Sequence, residues 1–118
     1  MIITENINDI TAIIEGMRLS KEEVAECLMA GAYTLMRNSM QQIEEQDLID
    51  TGFMLDSHEV VEADGGVEMR VNADYAGYVE FGTSKMPARP FVRPAMDNEN
   101  IDAAIYTKAA SIVKGKVQ

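Results

Sequence analysis

The sequence predicts an α+β fold: a long N-terminal helix and a C-terminal helix packed on a small antiparallel sheet with a β-hairpin. Three observations predict it. Residues 21–46 contain no proline and repeat apolar residues at helical spacing, with Val24, Leu28, Leu35 and Ile43 on one face. Val67, Met69 and Val71 alternate with Glu68, Arg70 and Asn72, the period of a half-buried strand, directly after the turn sequence Ala63-Asp64-Gly65-Gly66. Ile101, Ala104, Ile105, Ala109 and Ile112 then return to helical spacing. At 118 residues the chain makes one domain with a single modest core. It divides into a helical region (1–46), antiparallel strands (53–82), an extended arm (83–94) and a C-terminal helix (95–116).

Taken in order, Ile7, Ile10, Ile13 and Ile14 predict a short amphipathic helix over 5–17, weakened at its end by Gly16. Ser20 followed by Glu23 is a capping box that opens the long helix. Glu22, Glu23 and Glu26 suit the positive end of its dipole, and Cys27, Ala32, Met36 and Met40 widen its apolar face. Asp50-Thr51-Gly52 reads as a turn: Asp50 or Thr51 bonds backbone amides while Gly52 takes a left-handed conformation. From Phe53 the chain reads as extended, and Glu59 to Ala63 is β-rich. Tyr78-Val79-Glu80-Phe81 reads as a short strand stopped by Gly82, where backbone freedom is needed. The last helix runs from Pro94 or Asn98 to Lys114, with Lys114 and Lys116 on the favourable side of its dipole.

Residues 75–96 concentrate unusual chemistry: four of the seven aromatic residues, all three prolines and three of the ten basic residues. Pro87 and Pro90 push Met86 and Arg89 toward extended geometry, so helix is excluded there. The stretch reads as a stiff arm carrying Lys85, Arg89 and Arg93, with Phe91 as a buried anchor in its own or a neighbouring subunit. Tyr75, Tyr78 and Phe81 form the wall it packs on. Arg89 and Arg93 pair either with Glu80 or Asp97 of the same chain or with carboxylates across a subunit boundary. Lys85, Met86, Arg89, Phe91 and Arg93 are therefore the candidate interface residues, with Met54 as a further contact candidate. Met17, Met29, Met36 and Met40 fall in helical segments and read as core or helix-packing residues.

The order Tyr-Ala, Tyr-Val-Glu-Phe-Gly-Thr and Ala-Arg-Pro-Phe-Val-Arg-Pro-Ala over 75–95 resembles the signature of the lambdoid-phage tail-completion, or head–tail joining (neck), proteins. Asp50-Thr51-Gly52 with Leu55 and Ser57 after a long helix is similar to a second landmark of that family. Gln46-Asp47-Leu48-Ile49 departs from the proline and small apolar residues that often precede it. The resemblance covers nearly the whole chain. It implies a ring of copies that completes the tail or joins it to the head, contacting other neck or tail proteins. DNA would pass through without sequence-specific contact, in a virion assembled in the host bacterial cytoplasm.

Composition bounds the alternatives. Net charge is −10, and residues 1–66 hold 3 basic and 14 acidic side chains (−11) against 7 and 6 (+1) in residues 67–118. So acidic a first half does not wrap nucleic acid; it allows an acidic face to meet a neighbour's cationic arm. An acidic DNA mimic is the alternative binding role. No run approaches membrane-spanning length, the start MIITENINDI lacks the basic residues of a secretory signal, and no membrane partner is expected. A lone Cys27 excludes an internal disulfide and a multi-cysteine metal site, and no cofactor is expected. Asp50-Thr51-Gly52 also occurs in small homodimeric aspartic proteases, each subunit lending one carboxylate. Those enzymes are nearly all β, whereas this chain spends its first third on helices. His58-Glu59-Val60-Val61-Glu62 lacks the second histidine of a zinc-protease motif. Nucleophilic catalysis would need His58 to meet Cys27 or a serine across the fold. The reading is a structural protein, not an enzyme.

Overall fold

The computed structural model describes residues 2–4, 19–46, 51–63 and 66–116. Strand β1 (Ile2–Thr4) is followed by helix α1 (Lys21–Gln46), the short helix α2 (Thr51–Asp56) and the hairpin strands β2 (His58–Ala63) and β3 (Gly66–Val71). Short helices α3 (Ala76–Phe81) and α4 (Val92–Met96) precede the C-terminal helix α5 (Asn100–Lys116). The class is the α+β expected from the sequence, and α1 lies between two layers. The sheet packs on one side of it and α5 on the other.

The capping box forms as its spacing requires. The Ser20 backbone N–H donates to Glu23 Oε1 at 2.9 Å, and the Glu23 N–H donates to Ser20 Oγ at 3.1 Å, so two orphan donors of α1 are satisfied. Cys27, Ala32, Leu35 and Ile43 are buried, as the apolar periodicity predicts. Gly31, Thr34, Asn38 and Ser39 are buried as well, because α1 is covered on two sides. Gly31 lets α5 approach closely: a Cβ there would lie 2.7 Å from both Cγ1 and Cδ1 of the fully buried Ile105. Gly31→Val is therefore expected to lose about 2 kcal/mol, since overpacking costs roughly 1–3 kcal/mol and outweighs the helix-propensity gain. Urea unfolding measures it, and an unchanged midpoint would mean that the helices separate freely.

The sheet has three strands in the order β1-β3-β2, all antiparallel; the hairpin is as expected, but its third strand is N-terminal and not the one expected at Tyr78–Phe81. The N-terminal strand was not anticipated. The helix expected over 5–17 falls outside the described residues, as do Asp64 and Gly65 of the hairpin turn. Opposite residues share a face, so Met69 and Val71 point to α1 together with Val60 and His58. Arg70 lies on the other face between Glu59 and Glu68, at 3.7 and 3.1 Å.

Four expectations for the chain after Asp50 are corrected. The segment after Asp50 is not extended: Thr51–Asp56 is helical, which carries the side chain of Met54 fully into the core. Gly52 is an exposed residue of that helix, and among the described residues Gly82 is the glycine with positive φ, not Gly52. Tyr78–Phe81 is not a strand but the second half of α3. Ala76, Val79 and Glu80 are buried together, and only a helix places i, i+3 and i+4 on one face; a strand would turn Val79 and Glu80 to opposite sides. The region 53–82 thus holds two helices beside β2 and β3. Finally, the C-terminal helix is split. Pro94 lies in the first turn of α4, and Asn98 then starts α5 by accepting the Asn100 N–H at 3.0 Å.

One core unites these pieces: Leu35 and Ile43 of α1, Met54, Met69, Val71, Val79, Phe91, Val92, Ile101 and Ile105 are all nearly or fully buried. A polar fastening crosses it. Asn38 and Asn100 exchange amide hydrogen bonds at 2.8 and 3.1 Å, and Asn38 Nδ2 also donates to the Ala95 carbonyl at 3.2 Å. It joins α1 to both C-terminal helices.

Candidate functional site

The loop from Gly82 to Pro90 begins where α3 must reverse. Gly82 has φ +78°, and a Cβ there would come within 2.7 Å of the Ala88 backbone nitrogen, so glycine alone fits both the dihedral and the space. Thr83 and Met86 then exchange backbone hydrogen bonds at 2.8 and 3.3 Å, closing a tight turn. The Arg89 N–H returns to the Val79 carbonyl at 2.8 Å. Two side chains strap the loop to the end of α1. The Arg89 guanidinium donates to the Gln46 carbonyl at 2.6 Å, placing a cation at a helix C-terminus that has none of its own. Gln46 Nε2 in turn donates to the Pro90 carbonyl at 2.8 Å.

Past the loop, the chain is held by a buried carboxylate. Glu80 is 4% exposed; its Oε1 accepts the N–H groups of Phe91 (3.1 Å) and Val92 (2.7 Å), and its Oε2 accepts that of Arg93 (3.4 Å). These are donors at the start of α4 that no residue inside the helix can take. Desolvating a carboxylate is costly unless donors surround it, and here the backbone supplies them. Residues 83–94 are therefore not an arm reaching out of the subunit. They fold back as a loop (83–90) joined to a core segment (91–96).

The candidate residues separate accordingly. Lys85, Arg89 and Arg93 are exposed, Met86 is half-buried against the core, and Phe91 is fully buried in its own subunit. Neither Arg89 nor Arg93 forms an ion pair with Glu80 or Asp97: Glu80 is taken by backbone, and Arg89 by a carbonyl. Met54, expected at a partner contact, is core instead. The aromatic wall is also different. The ring beside Phe91 is His58, at 6.4 Å between centroids, whereas Tyr78 and Phe81 are 61% and 65% exposed. Phe53, 59% exposed, lies 6.1 Å from Tyr75. Phe53 and Tyr75 bring α2 and α3 together, and Tyr78 and Phe81 follow Tyr75 at i, i+3 spacing along α3 to the start of the loop, an exposed aromatic strip. The sequence signal for it was the i, i+3 spacing of Tyr75, Tyr78 and Phe81, legible only once the segment is helical. Asp50 lies outside the described residues.

His58 does meet a serine. Its Nδ1–H donates to the Met54 carbonyl at 2.7 Å, which leaves Nε2 to accept from the Ser39 hydroxyl at 2.8 Å. Ser39 is fully buried, so the pair links α1, α2 and β2 without a surface from which a substrate could reach the hydroxyl. Burial pushes the Cys27 thiol up as well, which keeps it protonated and unreactive. Among the described residues no group of His, Cys, Asp and Glu could hold a metal ion, and no helix is long and apolar enough to cross a membrane.

Desolvation holds His58 below its ordinary value of 6.5, against smaller opposing effects from the Met54 and Leu55 backbone. The unfolded chain therefore takes up this proton more readily than the folded one. The His58 contribution is complete above about pH 6.5 and is lost as pH falls from there through the depressed folded value. The wild type should lose more stability between pH 7.5 and 5 than His58→Gln does, as read by urea midpoints. Equal losses would place the imidazole in water.

No protein-family model, no curated protein and no solved structure matches this chain.

Proposed function

We propose that the chain is a structural protein of a tailed phage or prophage, one copy of a ring that completes the tail or joins head to tail around the DNA channel. It acts by assembly and not by catalysis. The observation that carries this reading is the loop Gly82–Pro90. It is fixed at both ends to its own subunit, yet it offers Lys85 to solvent without an ion pair among the described residues, and it follows directly on the helix that exposes Tyr78 and Phe81. A preorganised surface of this kind loses little entropy on docking. The residues that resemble the neck-protein signature are the ones that build it: Glu80 and Gly82 shape the turn, and Phe91 and Pro94 seat its far end. The acidic first half faces solvent along α1 through Glu22, Glu26, Glu44 and Glu45, which repels DNA phosphates instead of binding them.

Deleting the reading frame from an inducible lysogen tests the proposal. Electron micrographs of the lysate should show filled heads and tails that fail to join, and the protein should be found by mass spectrometry in complete particles from the parent strain. Normal infectious particles that lack the protein would overturn it.

A further inference from the structure

We propose that the aromatic strip and cationic loop of one copy dock, head to tail, on the hairpin end of a second copy. This rests on the assembly reading above and adds the two surfaces that meet.

The strip falls in the size range of apolar patches that often carry a function. Phe53, Tyr78 and Phe81 together leave about 350 Å² of side chain in water, given that each ring can bury roughly 150–250 Å². That alone approaches the largest apolar patch of a typical monomer and supplies nearly half of the about 800 Å² that each side of a stable interface covers. Around it, residues 81–96 contain three basic side chains and no acidic one, whereas residues 56–68 contain five acidic and no basic one, of which Glu59 and Glu68 are paired with Arg70. The acidic stretch includes the hairpin end. There, a cleft of about 300 Å³ opens between the first turns of α1 and the hairpin, with Val24, Ala25 and Leu28 as its apolar floor and Lys21, Glu22 and Glu62 at its rim. Its size suits one or two side chains and falls at the lower limit for small-molecule sites.

These surfaces lie at opposite ends of the molecule. Gln46, which holds Arg89, and Glu22, at the cleft, are 24 residues apart on α1, about 36 Å at 1.5 Å per residue. A contact between different patches is heterologous and propagates from copy to copy, the geometry that rings need. Pairing of two aromatic ends with each other would oppose Lys85 and Arg93 to their own copies, a like-charge arrangement that complementary interfaces avoid.

Sedimentation velocity of the purified chain up to millimolar concentration, at low salt, tests this. The wild type is expected to self-associate. Phe81→Ser, and separately Lys85→Glu with Arg93→Glu, should weaken association at least tenfold, as should Glu22→Lys with Glu62→Lys; all these residues are outside the core, and circular dichroism checks that each variant is folded. Mixing the Lys85→Glu, Arg93→Glu protein with the Glu22→Lys, Glu62→Lys protein should restore association that neither shows alone. A wild type that stays monomeric at millimolar concentration overturns the proposal, and so does a mixture that fails to associate. Association indifferent to every variant overturns it too. The particle phenotype of the deletion judges the virion reading separately, so unjoined particles from a protein that never self-associates would sink the docking alone.

Discussion

Glu80→Ala is expected to destabilise the isolated subunit by about 3–5 kcal/mol, since it strands three backbone donors at once and each unpaired buried donor costs about 1–3 kcal/mol. Glu80 takes three backbone donors, of Phe91, Val92 and Arg93, within 2.7–3.4 Å. Alanine leaves those N–H groups facing a space emptied of its acceptor, in a place where Phe91 and Val92 are almost completely shielded from water. Glu80→Gln keeps one acceptor oxygen while losing the charge, and should cost only about 1–2 kcal/mol. Urea unfolding orders the two variants, and amide exchange localises the effect, with protection at Phe91 and Val92 falling before that in β3. A loss below 1 kcal/mol for the alanine variant would show that water replaces the carboxylate and that the start of α4 is open to solvent.

This glutamate also marks where sequence reasoning stopped. The long helix was legible because 26 residues of α1 repeat the same spacing and Ser20 with Glu23 announce its start. The alternation in β3 was legible because one face is buried and the other carries Arg70 between two glutamates. Six residues are too few for such a vote. Tyr78-Val79-Glu80-Phe81 has the composition of a strand, and its helical state is decided by partners up to thirteen residues away, the N–H groups that Glu80 must reach. The same tertiary decision turned the expected arm inward. Prolines at 87 and 90 do prevent helix in the loop, but they say nothing about its direction; Arg89 on the Gln46 carbonyl and Phe91 in the core set that. Local sequence fixed the stiffness of this segment, and long-range packing fixed where it lies. The candidate site was legible to the same degree: its cations were found, and its exposed rings were assigned to the wrong side.

Phe91→Ala should remove about 3–5 kcal/mol, the range for truncating a buried aromatic residue when the cavity does not collapse. Collapse is hindered here on three sides. Glu80 pins the Phe91 backbone from α3, Gln46 holds the preceding carbonyl of Pro90, and His58 beside the ring is itself fixed by Ser39 and Met54. Phe91→Leu keeps most of the volume and should cost nearer 1–1.5 kcal/mol. Leucine keeps the backbone N–H that Glu80 accepts, but Glu80 fixes the backbone that carries the ring, so the two positions are in contact and the double variant Glu80→Gln, Phe91→Leu should lose measurably less than the two single losses added together. Strict additivity in that cycle would separate the ring from the carboxylate and dissolve the clasp into independent contacts. The consequence for assembly is that a joining defect in Phe91→Ala particles reports a subunit that no longer folds, whereas one in Lys85→Glu, which lies on an exposed turn, reports a lost contact. Thermal melts of the two purified variants distinguish them: the first should melt well below the wild type and the second within a degree or two of it. If Phe91→Ala melts with the wild type, the ring does not belong to the core, and the segment is free to leave its own subunit.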